Sequence, residues 1–175
     1  RMSAILTALS LFLFMGLAVP DVQAATYSFK TLDVPGAMSI LPASINASGQ
    51  VAGNYYDQNG HHGFVYSSGT FTTLDVPGAS DTSATSINAS GQVAGNYYDQ
   101  NGSHGFVYSG GTFTTLDVPG ATDTRAASIN ASGQVAGSYG GGHGFVYSGG
   151  TFTIFDGPGA TNTHARSINA SGQVT

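Results

Sequence analysis

The sequence predicts an all-β protein, a β-propeller-like array of four-stranded repeats of about 42 residues, and three observations carry that reading. The octapeptide Ser-Ile-Asn-Ala-Ser-Gly-Gln-Val recurs four times, starting at Ser44, Ser86, Ser128 and Ser167. Between these copies, short runs rich in Tyr, Phe, Val and Thr alternate with Gly, Asn, Asp and Pro, the residues that build turns. Charged residues make up only 7% of the chain and Cys is absent, so stability has to come from strand pairing and packing, with no disulfide framework. A unit of this length buries its apolar face only when neighbours stack on it. An open β-solenoid or stacked array is the alternative architecture.

The elements follow in order. Residues 1–24 read as a signal peptide: Arg1 gives a minimal positive start, an apolar run follows, Pro20 breaks it, and Val22-Gln23-Ala24 places small residues at a cleavage site. The repeat domain spans 25–175, as a partial unit at 26–37, repeats at 38–79, 80–121 and 122–160, and a second partial unit at 161–175. Residues 27–34 are expected to form the last strand of a unit whose earlier strands are absent. In the unit opening at Ser44, the Asn46-Ala47-Ser48-Gly49 turn leads into a strand over 50–56, closed by Asp57-Gln58-Asn59-Gly60. Strands over 62–66 and 70–76 follow, separated by Ser67-Ser68-Gly69 and ended by the turn Val76-Pro77-Gly78-Ala79. Phe71 opposes Leu74 and Val76, which makes both faces apolar, as stacked sheets require. Gly53, Gly95 and Gly137 fall in register mid-strand and imply close backbone approach at a crowded axis. The last copy stops at Val174-Thr175 where the others continue Val-Ala-Gly, so the chain reads as a piece of a longer repeat protein, with blades missing or supplied by an oligomer.

Composition also bounds function. Four Lys and Arg stand against nine Asp, for a net charge of −5 without a basic patch. Nucleic acid and an electrostatic membrane surface are therefore not expected as partners, nor is stable membrane insertion once the signal is removed. There is no Glu, no Cys and no Ser-His-Asp spacing that singles out a nucleophile, and no cofactor is expected. Several recurring residues invite a chemical reading and a plainer one. Asp33, Asp75, Asp117 and Asp156 precede the Pro-Gly turns and read as turn acceptors before they read as a carboxylate ring. His62, His104 and His143 read as structural hydrogen-bonding groups before zinc ligands, because equivalent atoms on successive repeats lie far apart. Asp57-Gln58-Asn59-Gly60 and Asp99-Gln100-Asn101-Gly102 lack the downstream acid of a calcium loop and read as hairpin turns. The Asn-Ala-Ser triplets at 46, 88, 130 and 169 match a glycosylation acceptor, but turn formation explains them. Tyr55, Tyr97 and Tyr139 read as core before sugar-stacking surface.

The repeats diverge chiefly at 38–43, 80–85, 122–127 and 161–166, read as loops entering each unit. They carry Asp81, Asp123, Arg125, His164 and Arg166, whereas the first copy has Ile40-Leu41-Pro42. These five residues are the candidate ligand-binding set, since equivalent loops of a propeller gather on one face. The alternative is relaxed selection on solvent-exposed loops.

The block His-Gly-Phe-Val-Tyr-Ser-Gly-Gly-Thr-Phe-Thr-Thr-Leu-Asp-Val-Pro-Gly-Ala at 104–121, followed by Ser-Ile-Asn-Ala-Ser-Gly-Gln-Val-Ala-Gly at 128–137, resembles the bacterial HAF-type extracellular repeat. The resemblance covers residues 26–175. The His-Ala-Phe tripeptide that gives the family its name stands here as His-Gly-Phe at 62–64, 104–106 and 143–145. It implies an exported repeat protein, often with a C-terminal sorting tail, which this sequence does not show. It implies no activity. The functional expectation is a secreted or surface-exposed, non-catalytic scaffold whose variable positions bind an extracellular glycan, surface polymer or protein. Two alternatives stay open: a fragment of a propeller lyase or hydrolase acting on extracellular polysaccharide, and a structural matrix component.

Overall fold

Turn chemistry sets the boundaries of every element in the computed structural model, which describes residues 28–175. In residues 46–49 the Asn46 carbonyl accepts from Gly49 N–H at 3.0 Å, while its side-chain Oδ1 accepts from the N–H groups of Ser48 and Gln50, each at 3.0 Å. Gly49 closes the turn at φ 76°, a conformation that costs glycine nothing. At residues 57–60 the Asp57 carboxylate accepts from the N–H of Asn59 at 2.7 Å and of Gly60 at 3.2 Å, an Asx turn. The expected hairpin is therefore formed. The signal-peptide segment and Tyr27 lie outside the described residues.

Twelve strands result, and there is no helix among the described residues: β1 Ser39–Ile45, β2 Val51–Asp57, β3 Gly60–Ser67, β4 Thr70–Leu74, β5 Asp81–Ile87, β6 Val93–Asp99, β7 Gly102–Ser109, β8 Thr112–Leu116, β9 Thr124–Ile129, β10 Val135–Tyr139, β11 His143–Ser148 and β12 Thr151–Phe155. They form three antiparallel meanders, β1–β4, β5–β8 and β9–β12. A single parallel bridge between His61 and Asp81 joins the first two into an eight-stranded sheet. Its counterpart, Ser103 with Asp123, is an isolated bridge, which leaves β9–β12 as a separate four-stranded sheet. Among the described residues β1 pairs only with β2 and β12 only with β11, so the array is open and no barrel closes.

Two sequence expectations are corrected. The divergent segments 38–43, 80–85 and 122–127 are not loops. They are mostly strand, β1, β5 and β9, each paired with the strand that follows. In β5 and β9 the alternate residues Thr82 and Ala84, and Thr124 and Ala126, are buried, and the varying residues sit between them. Variability thus marks one face of a strand, not a loop. The fourth copy, 161–166, is irregular, and Arg166 N–H donates to the Thr175 carbonyl at 2.7 Å. The strand expected over 27–34 is not formed in its described part, residues 28–34. Leu32 and Val34 nevertheless pack on the first unit with Tyr55, Phe64 and Tyr66.

Apolar faces of successive units interlock. Leu74 and Val76 of the first unit pack with Ala84, Ile87, Val93 and Phe106 of the second, and Leu116 and Val118 pack equivalently with Ala126, Val135 and Phe145 of the third. Phe64, Phe106 and Phe145 are completely buried, each contributing roughly 1.5–3 kcal/mol. An asparagine ladder runs beside this core: Nδ2 of Asn46, Asn88 and Asn130 donates to the carbonyl of Asn88, Asn130 and Asn169 at 3.0, 3.0 and 2.9 Å. The mid-strand glycines face crowding as expected, but its source lies within one sheet. A Cβ on Gly95 would collide with the Ser83 carbonyl of β5 and the Phe106 ring of β7, where β5 carries a bulge between Ala84 and Ser86.

Candidate functional site

A second device clasps unit to unit, and the candidate site lies at the junction where its asparagine is replaced. Asn54 Oδ1 accepts from Ala84 N–H and Asn96 Oδ1 from Ala126 N–H, both at 2.7 Å. Asn96 Nδ2 also donates to the Ala126 carbonyl at 3.2 Å. In the third unit the matching residue is Ser138, whose side chain is too short to span that gap. Directly after it, the segment equivalent to 98–103 shrinks to Gly140-Gly141-Gly142. At the same junction Thr163 N–H of the fourth copy donates to the Gly142 carbonyl at 2.6 Å.

A cavity of about 610 Å³ opens at this junction. Its wall combines Asp123, just before β9, and Arg125 within it, His164 and Arg166 from the fourth copy, Thr85 and Asn96 from the second unit, and Ser138, Tyr139, Gly141 and Gly142 from the third. Four of the five candidate binding residues thus meet at one place. The fifth, Asp81, does not. It accepts from Ser80 Oγ at 3.2 Å and borders a smaller cavity of about 300 Å³ beside His61, His62 and Asp75. Tyr139 is expected from sequence as core before sugar-stacking surface, and Asn96 and Ser138 carry no expectation from sequence. The signal for them was present, as the Asn-to-Ser change and the three-residue contraction that occur only in the third copy.

The electrostatics of the cavity are distinctive. The chain has four Lys and Arg residues, and two of them, Arg1 and Lys30, precede residue 32. The other two, Arg125 and Arg166, both line this cavity. Both are exposed, and among the described residues neither guanidinium has a carboxylate within 4.0 Å. Asp123 and His164 share the cavity, and no hydrogen bond joins their side chains.

The three recurrent histidines lie elsewhere and are bound by carboxylates of their own units. His62 Nδ1 is 2.9 Å from Asp75 and its Nε2 3.2 Å from Asp57; His104 repeats this with Asp117 at 2.8 Å and Asp99 at 3.2 Å. The rings stack on Tyr55 and Tyr97, each with 4.9 Å between centroids. Desolvation works against the charged ring, but the paired aspartates outweigh it and raise both histidine pKa values above the ordinary 6.5. The backbone N–H of Asn59 or Asn101, aided by the histidine, lowers Asp57 and Asp99 below 3.8. His143 keeps only Asp156, at 2.9 Å, because the contracted loop removed the second aspartate. Among the described residues, no three or more His, Cys, Asp or Glu side chains are grouped to hold a metal ion. No protein-family model matches the chain, and no curated protein matches it.

Proposed function

We propose that this chain is an exported, non-catalytic repeat scaffold of the HAF type that binds an extracellular polymer in the cavity between its third and fourth units. The observation that carries the reading is convergence at a break in the repeat. Asp123, Arg125, His164 and Arg166 come from segments some forty residues apart, at the positions where the copies differ most, and they line one cavity. A repeat array that only had to fold would keep the asparagine clasp at every junction, as it does at the first two. Departure from the pattern at one junction, with new polar side chains supplied there, is how a repeat scaffold acquires a binding site. Export rests on the signal-like residues 1–24.

The test is simultaneous alanine replacement of Asp123, Arg125, His164 and Arg166, followed by binding to a panel of immobilised extracellular polysaccharides. All four residues lie at the cavity and not in the cores between units, so the melting temperature should hold while affinity falls by about tenfold or more. A variant that retains the parent's affinity would remove the cavity from consideration.

A further inference from the structure

Resting on the reading of this cavity as a binding site, we infer that its ligand is an acidic polysaccharide, anchored through carboxylate or sulfate groups by Arg125 and Arg166. The charge distribution points there first. The repeats are acidic, with a net charge of −5 for the whole chain, yet their two arginines both line this one cavity. Neither arginine is a feature of the repeat. The position of Arg125 holds Leu41, Ser83 and His164 in the other copies, and that of Arg166 holds Ala43, Thr85 and Ala127.

Their lack of partners is the second observation. Nine aspartates are available, and the histidines of all three units take one or two each. Among the described residues both guanidiniums stay without a carboxylate within 4.0 Å, although Asp123 lines the same cavity. A guanidinium offers a planar fork of N–H donors matched to two oxygens of a carboxylate or sulfate, and here both forks are left to a ligand.

Size and the remaining wall select a sugar chain over other anions. The volume, about 610 Å³, lies in the range of about 300–1,000 Å³ typical of clefts for small ligands, which suits a few sugar residues better than the surface of a folded protein. Asp123 supplies an acceptor for ring hydroxyls and Ser138 a hydroxyl of either role, while Tyr139, packed against His143 and the core, closes the wall beside them. Nucleic acid would need an extended basic track, and two isolated arginines in an acidic molecule do not make one.

The experiment measures binding of polygalacturonate, dextran sulfate and neutral dextran by calorimetry, at low and high salt, with the parent protein and with R125A/R166A. The expected result is binding of at least one acidic polymer, weakened by salt and about tenfold or more by the double substitution, with dextran not bound. Binding of polygalacturonate alone assigns the anchor to carboxylate, and of dextran sulfate alone to sulfate. Failure of both acidic polymers to bind overturns the inference, as does equal binding of dextran that R125A/R166A leaves intact. If that dextran binding is lost in D123A, the cavity remains a binding site with a neutral ligand. Acidic-polymer binding indifferent to R125A/R166A overturns both the anchor and the cavity assignment.

Discussion

His62 and His104 each sit between two aspartates, and that placement makes stability depend on pH in two directions. Both ring nitrogens face acceptors, which only the doubly protonated imidazolium can satisfy. Because the histidine pKa values are raised, their contribution is complete below the ordinary imidazole value of 6.5 and disappears as pH climbs through the raised values. Asp57 and Asp99 are lowered, so their contribution is present above 3.8 and is lost as pH falls through their depressed values. Stability should therefore peak between these limits, and at alkaline pH the histidine share, kept small by solvent screening, should be gone. A melting temperature unchanged from pH 5.5 to 9 would contradict this, and H62Q/H104Q should flatten the alkaline decline. Asn88 offers a sharper test. Its Nδ2 donates to Gln92 Oε1 at 2.8 Å and to the Asn130 carbonyl at 3.0 Å, and its Oδ1 accepts two backbone N–H groups, all in a buried setting. N88A should cost about 2–3 kcal/mol, several times more than N169A, whose exposed side chain makes, among the described residues, only turn bonds with Ser171 and Gln173. Equal losses in urea unfolding would mean that the turn matters and the ladder does not. The turn half of this role was legible, because an asparagine bonding its own backbone acts over a few residues. The ladder was not, since its partners are about forty residues away and appear only once units stack.

The same division between local and distant causes holds for the elements. Strands β2, β3 and β4 and their hairpins could be read closely from sequence, because Asp57, Gly60 and the alternating aromatics act within a few residues of one another. Four strands per unit are expected from sequence, but the greater part of β1, β5 and β9 falls in segments that read as loop. Their sequences vary between copies, and variation was taken for loop, whereas Thr82 and Ala84 hold one face against the core while Ser83 is left free to change. The mid-strand glycines were legible as sites of close approach, but the neighbour responsible was misplaced. At Gly95 the obstacle is the bulged β5 strand and the cross-strand partner Phe106, so G95V meets backbone on one side and a fully buried ring on the other. Neither can retreat without breaking pairing or core, and the substitution should cost about 1–3 kcal/mol, at the upper end of overpacking effects. G110V provides the control for space, because nothing lies within 4 Å of a Cβ there. At φ 57° that position carries only local backbone strain. A G95V protein with the parent's melting temperature would show that the close approach is not rigid.

At the scale of the whole molecule, the candidate residues were legible but the cavity was not, because bringing 123–125 against 164–166 depends on how the third unit stacks on the fourth copy. That junction is where regularity has been given up, and the sacrifice should be measurable as a trade of stability against binding. Ser138→Asn would restore the side chain that Asn54 and Asn96 use to hold the next unit, with Ala165 as the partner in place of Ala84 and Ala126. Two regained hydrogen bonds to a buried backbone should stabilise the protein by about 1–2 kcal/mol. The longer side chain would also project into the cavity that Ser138 lines, narrowing it beside Arg125 and Arg166. We therefore expect S138N to melt higher and to bind its polymer more weakly, the opposite of a mutation that merely damages the fold. A protein that melts at the parent's temperature would show that the clasp does not set the strength of the junction. One that gains stability and keeps full affinity would show that the open junction is not needed for binding.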